Sequence, residues 1–568
     1  MNDFSAARDR DEAPPNTSSP RRPRRSAPPS LICLLLLLPG CIDHFGTGGT
    51  GETVIPEHRV RDIDPTDLHE FSSSRPATTQ PATRPAEVNP PPILILSIEE
   101  CRLAALHNNL DLKVELFNPS IAQTSVTEQE AAFEAMFNAN VNYAQSRSPG
   151  LVAQPGLSVP AFTQYEVAPD AGLQIPLRTG GTFRVDNPFQ IINQSGEPSS
   201  LNPSYTYNPS LSFSQPLLRG FGFDVNAQAI RIAFYQYEQS QARTKLTVTR
   251  VLADADRAYW NLFASRALLE VRRKQFDLAQ TQLDRARRQV RAGVIAEPDV
   301  VRAESGVADQ VEAIILAEND VRTKERDLKR ILNRPDVPLG GPTRLIPGTR
   351  PSAVAYSLDP DKLARAALSQ RMEMLEVELQ IVQEAANIRI ARNAMLPLLA
   401  VQYSYSHSGF SGSVHETFDQ VLNKQFDSHQ IGLSLQIPIG NEAAHSQLRR
   451  ALLSRLQQLA TKEQQTAQIK QDVFNAADTL ETDWQRILAA HKRVELAARV
   501  TDVEIRQFNL GLRTSTDVLD AQTRLADAQS SEISAITDYQ IAQVDIAFAT
   551  GTVLGASRVH WSPMVEKE

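Results

Sequence analysis

Apolar residues recur every seven positions along two long stretches of this chain. Val248, Ala255, Leu262, Leu269, Phe276, Leu283 and Val290 form the first seam. A second seam three positions on holds Val251, Ala258, Ala279 and Ala286, interrupted by Ser265 and Arg272. Sustained heptads predict helices packed knobs into holes. At ~1.5 Å per residue, a helix from about 224 to 291 is roughly 100 Å long. A return helix carries Val300, Val307, Ile314, Val321 and Leu328, and stops near Asn333. The plan recurs as Val473, Leu480, Ile487, Val494, Thr501 and Phe508. Its return helix carries Ala521, Ala528, Ala535, Ala542 and Ala549, small enough for close helix approach.

Between each long helix and its return lies a short turn. Gly293, Asp299, Val300 and Ala303 recur as Gly511, Asp517, Val518 and Ala521, all at one offset of 218 residues. Pro298 sits where a helix starts, a position that tolerates its missing N–H. Matching turns at a constant offset predict two internal structural repeats, 94–334 and 359–553, joined by a Pro- and Gly-rich linker over 335–358.

Each half also carries short alternating stretches. Strands are predicted over about 138–147 and 205–216 in the first half, and 399–406 and 429–438 in the second. Alternation over so few residues suits a membrane barrel strand. Ser97-Ile-Glu-Glu100 is a capping-box signature for a helix running from Leu94 to about Phe137, with Pro119 kinking or restarting it. Leu110 and Leu112 match Met372 and Met374 at offset 262, but Leu211 and Pro216 match Leu433 and Pro438 at offset 222. The first half therefore holds about 40 extra residues, which fall in the loop 149–204. Gly180-Gly181 lies there between two possible strands, so the loop has the makings of an added hairpin.

Ahead of the body, Arg21, Arg22, Arg24 and Arg25 precede the apolar run Leu31–Leu38. A basic region, a short apolar run and small residues before a cut describe a secretory signal over 1–40. The run is far shorter than the ~20 residues that span a bilayer as a helix. Residues 41–93, rich in Pro, Thr and Gly, bury too little to fold and read as a tether. The tail 554–568 carries no assigned role. A net charge of −8 with no basic block in the body argues against nucleic acid. Only Cys33, Cys41 and Cys101 occur, and the ten His form no HxH or HxxxH pair. That composition excludes a disulfide framework and a Cys-rich metal site, and no nucleophile–base constellation appears. The chain is read as no enzyme, without a cofactor.

Two strand pairs cannot close a barrel within one chain, and open sheet edges are not tolerated in lipid. Several copies must combine. The long helices, with Arg, Glu and Asp throughout, belong outside the bilayer.

These features resemble the TolC-like outer-membrane efflux protein family. The resemblance spans residues 94 to about 553 and rests on Leu96-Ser-Ile-Glu-Glu100, Ala104-Ala-Leu-His-Asn-Asn109, Ser214-Gln-Pro-Leu-Leu-Arg-Gly220 and the twin turns. It implies a mainly α fold with membrane β. The expected assembly is a homotrimer whose 12-stranded β-barrel, four strands per chain, joins a long α-helical barrel in the periplasm. The implied role is the passive exit duct of a tripartite efflux pump or type I secretion system, with a periplasmic adaptor and an inner-membrane transporter as partners. Cys41 after Gly40 resembles a lipoprotein signal, making Cys41 the lipidated residue, and Ile42 fits outer-membrane sorting.

By the same resemblance, Gly293, Val294, Gly511 and Leu512 are tips that dock the adaptor. Arg513 with Asp299, and the carboxylates Asp517 and Asp520, are gate residues. Asp517 also has a plain role, since Thr514-Ser-Thr-Asp517 is capping-like and anions suit helix N-termini. Phe508 stands where the family often has a Tyr that locks the closed state, and Phe cannot donate that bond. Competing readings are a periplasmic adaptor or a structural coiled-coil lipoprotein. The adaptor should have one hairpin, not two in tandem, and the strand pairs oppose the second.

Overall fold

The computed structural model describes residues 92–149, 151–154, 157–159, 161–195, 201–293, 296–510, 512–557 and 559. The signal, Cys41, nearly all of the tether, Val294, Gly511 and most of the tail lie outside the described residues.

The body opens with strand β1 (Ile93–Leu96) and helix α1 (Ile98–Asn108). The helix starts at Ile98 rather than Leu94, because Ile93–Leu96 pairs in parallel with a strand at Arg344–Pro347. Ser97 caps α1 in a full capping box with Glu100. The expected single helix is three: α1, α2 (Leu110–Glu115) and α3 (Phe117–Ala131). Asn109 ends the first and caps the second through its side chain. Pro119 falls in the first turn of α3, where its missing N–H costs nothing.

A run of strands follows: β2 (Met136–Ser148), β3 (Leu151–Gln154), β4 (Leu157–Val159), β5 (Phe162–Pro176), β6 (Thr182–Asp186), β7 (Phe189–Ser195), β8 (Ser204–Tyr207) and β9 (Ser210–Pro216). Short α4 (Phe223–Asn226) leads into α5 (Gln228–Arg291), 64 residues long, and α6 (Glu297–Leu332) returns. The linker is not wholly irregular, since it holds β10 (Arg344–Pro347). Then come α7 (Pro360–Gln370), α8 (Met372–Ala394), β11 (Leu398–His407), β12 (Gly409–Ser411), α9 (Val414–Leu422) and β13 (Asp427–Gln436). Last are α10 (Glu442–Asn509), 68 residues, α11 (Ser515–Ala549) and α12 (Val553–Ala556).

The heptad seams are the interior of the helical part. Val248, Ala255, Leu262 and Leu269 are buried on α5, as are Val473, Leu480 and Ile487 on α10. The five seam alanines of α11 (Ala521, Ala528, Ala535, Ala542 and Ala549) are buried, and Thr501 Oγ1 reaches the Ala521 carbonyl at 3.0 Å, as a small seam permits. The two interruptions have local solutions. Ser265 is buried but donates to the Leu262 carbonyl (3.1 Å), and Arg272 turns toward Asp527 of α11 (3.9 Å). At mid-length, Tyr259 of α5 ties the small parallel sheet down: its hydroxyl donates to the Leu96 carbonyl (3.1 Å) and accepts from Thr349 N–H (2.8 Å).

The large sheet is antiparallel. β2 pairs with β5; β5 pairs with both β6 and β7; β6 joins β9, β9 joins β11, and β11 joins β13, while β7, β8 and β12 continue the same lines at the far end. Six strand lines result, not the expected four, because the 149–204 segment inserts two of them between β2 and β9. No described helix is long and apolar enough to cross a membrane.

Candidate functional site

Two regions have features that packing alone does not require: the helix-to-helix turns and the two-faced sheet.

The first turn begins where α5 runs out of carbonyl partners. Ala292 N–H donates to the Arg288 carbonyl (3.1 Å) and Gly293 N–H to Val290 (2.9 Å). Gly293 has φ +72° with nothing near its missing Cβ, so conformation rather than space calls for glycine there. Asp299 lies in the first turn of α6 and pairs with Arg302 at 3.2 Å.

The second turn starts at Leu510, whose N–H bonds back to the Arg506 carbonyl at 3.2 Å. Leu510 and Leu512 are exposed. Thr514 caps α11: Asp517 N–H donates to Thr514 Oγ1 (3.3 Å), and Asp517 Oδ2 accepts from Thr514 N–H (2.9 Å) and hydroxyl (2.8 Å). The Thr514 backbone N–H, then its hydroxyl, holds the Asp517 carboxyl below its ordinary value. Asp520, one turn further, is exposed.

Arg513 and Asp299 are not brought together within the chain. Arg513 instead engages Glu504 (3.2 Å) and the Gln507 side-chain carbonyl (3.0 Å). Phe508 is buried beneath the turn, an apolar plug with no hydroxyl to donate. The two turns are nonetheless neighbours. Gln282 Nε2 donates to Ser515 Oγ (3.1 Å), Arg285 to Asn509 Oδ1 (3.3 Å), and Gln275 to the Gln522 carbonyl (3.1 Å). Gly306 of α6 lets Leu519 of α11 close in, since a Cβ there would lie 3.1 Å from Leu519 Cδ2. Gln275, Gln282 and Gly306 were missed in the sequence, where the heptad count watched only apolar positions. A heptad spacing between the two glutamines was the available signal.

The sheet has one apolar and one polar face across its whole width. Through the pairing, Phe137, Leu173, Val185, Leu211, Tyr405 and His429 form one row, and Ile175, Phe183, Phe213, Tyr403 and Ile431 form another on the same face. The opposite face carries Asn138, Gly172, Asp186, Ser210, Ser406 and Ser428 in one row. Cross-strand polar pairs knit that face, with Arg184 donating to Gln174 (2.7 Å) and Gln190 to Glu166 (2.6 Å). Both edges, β2 and β13, lack a partner strand among the described residues.

An antiparallel sheet with a lipid-compatible face and a polar face, fused to long hydrophilic helical hairpins, defines the class: an outer-membrane channel protein. The chain belongs to the outer membrane efflux protein family, whose model matches residues 192–334 and 363–552. It is 24% identical to the outer membrane protein TolC of Salmonella enteritidis over 434 residues, covering 70% of this chain and 85% of that protein. It is likewise 24% identical over 344 residues to the outer membrane efflux protein BepC of Brucella suis, covering 60% of this chain and 71% of that one. Among solved structures, the fold matches the outer-membrane channel OprN with a TM-score of 0.59 at 16% identity, over 80% of this chain and 90% of that one.

Proposed function

We propose that three copies of this chain form the exit duct of a tripartite efflux pump, conducting substrates passively across the outer membrane. The same architecture would serve a type I secretion system. The amphipathic sheet with two open edges carries the reading. Unpaired strand edges are costly in lipid, so copies must join edge to edge into a closed barrel. The long hairpins then form the periplasmic tube, built as two tandem copies of one unit. Exposed apolar residues along α6 and α10, among them Ile315, Leu316, Leu453 and Leu456, supply side-to-side contacts between copies.

In this reading the tips at Gly293, Val294, Gly511 and Leu512 dock a periplasmic adaptor, which links the duct to an inner-membrane transporter. Cys41 carries the lipid that holds the tether to the outer membrane. Arg513 and Asp299 meet between neighbouring copies rather than within one. The present pair of Asp299 with Arg302 is a surface ion pair, typically worth ~0–1 kcal/mol, and so is easily exchanged. Asp517 and Asp520 ring the entrance three-fold and favour cations.

The direct test is the outer-membrane fraction. Trimer bands that collapse to monomer only on heating, and co-purification of an adaptor lost in Gly293→Asp and Leu512→Asp variants, are expected. A protein recovered as monomer from that fraction would overturn the duct.

A further inference from the structure

The two strand lines contributed by the 149–204 segment are built like the rest of the wall. They are paired on both sides: β5 with β2 over thirteen residues, β6 with β9 over five, and β7 with β8 over four. Their faces stay in phase. Leu173, Ile175, Phe183 and Val185 continue the apolar rows of β2 and β9, while Gln174, Arg184 and Asp186 continue the polar ones. A one-residue slip would have put every one of these side chains on the wrong face.

Their turn is also locked into the junction with the helices. Gly180 has φ +89°, and a Cβ there would stand 2.0 Å from the Gly220 carbonyl oxygen. Gly222 N–H donates to the Thr179 carbonyl (3.0 Å), Gln215 Nε2 donates to the same oxygen (3.1 Å), and Thr179 Oγ1 donates to Gln215 Oε1 (2.9 Å). Arg178 lies over the Phe133 ring, 5.9 Å from its centroid. The hairpin is thus fastened to Gln215–Gly222, the segment through which the sheet passes into α5.

We propose that β5 and the β6–β7 line are staves of the membrane wall, so that each chain supplies six strands and three chains close an 18-stranded barrel. The proposal rests on the trimeric duct. Six is even, so edges β2 and β13 run in opposite directions, and β13 of one copy lies antiparallel to β2 of the next. The joining edges carry the required apolar rows, with Phe137 70%, Val141 71%, Ile431 79% and Leu433 69% exposed in the single chain. Barrel diameter grows roughly linearly with strand number, so the outer-membrane section is about 1.5 times as wide as a 12-stranded one. The size limit on cargo then falls at the helical tips rather than in the barrel.

Two measurements decide it. Electron cryo-microscopy of the full chain in lipid nanodiscs should show three-fold symmetry and eighteen strands. Twelve strands, or a different symmetry, overturns the proposal. Nitroxides on Leu173→Cys and Val185→Cys should be relaxed more by oxygen than by a nickel chelate, and those on Gln174→Cys and Arg184→Cys the reverse. Native Cys101 is fully buried and does not compete for label. Nickel-dominated relaxation at all four sites would put the hairpin in water and end the proposal. A disulfide scan of Ser434→Cys against Asn138→Cys, Asn140→Cys and Asn142→Cys then separates the two ideas. Should the relaxation or strand count rule out the wider barrel, a bridge between copies still keeps the duct; no bridge and no trimer removes both.

Discussion

Asp517 caps α11, and in the proposed duct the same carboxylate lines the entrance. Its folded value is depressed by the Thr514 N–H and hydroxyl, below the ordinary 3.8. A depressed carboxyl adds stability that is complete above its unfolded value and is lost as pH falls through the folded one. The second turn should therefore hold unchanged down to about pH 4 and loosen only in stronger acid, the range in which ordinary carboxyls protonate. Asp520 has no such partner and is a cleaner probe of charge alone. We expect Asp517→Asn with Asp520→Asn to lower cation preference in single-channel recordings, read as a shift of reversal potential in a salt gradient. Unchanged reversal potentials would remove both carboxylates from the conduction path. The capping role was legible in Thr514-Ser-Thr-Asp517, because a capping box is local chemistry. Arg513's partner was not: Glu504 and Gln507 lie back along α10, and a side chain that can turn either way leaves no periodic mark.

Among elements, the long helices were easy to read and the first strands were not. A heptad sustained from Val248 to Val290 leaves little alternative, and its inner members are buried. The strand at Ile93–Leu96 was hidden because its partner, Arg344–Pro347, lies far along the chain and inside what reads as a linker. Parallel pairing at such separation has no local signature. Opposite changes of side-chain volume in the two helical seams should both destabilise. Leu262→Ala empties a fully buried site on α5, and Leu→Ala changes of this kind cost about 2–5 kcal/mol. Ala528→Leu forces bulk into the close approach of α10 and α11, and overpacking costs about 1–3 kcal/mol. Denaturation of the purified protein should show both losses. If Ala528→Leu proved neutral, the alanine seam would not be setting the spacing of those helices.

For the whole molecule, the two-faced sheet sets what each position tolerates. Sequence alternation alone gave the faces of β9, β11 and β13. It could not give their neighbours, because a period of two says which way a side chain points and not which strand lies beside it. The count of strand lines depended on that missing information: Gly180 and Gly181 marked a turn, but only their contact with Gln215 and Gly220 tied it to the wall. Position 430 and position 431 make the sharpest comparison, since Gln430 pairs with Ser404 on the polar face and Ile431 with Tyr403 on the apolar one. An arginine on the lipid face of a barrel costs about 2–4 kcal/mol at mid-depth, while one on the inner face mainly changes the channel's charge. Ile431→Arg should therefore lower the temperature at which the assembled form dissociates, and Gln430→Arg should leave it in place while reducing cation conductance. Equal sensitivity at the two positions would mean that the sheet does not separate lipid from water.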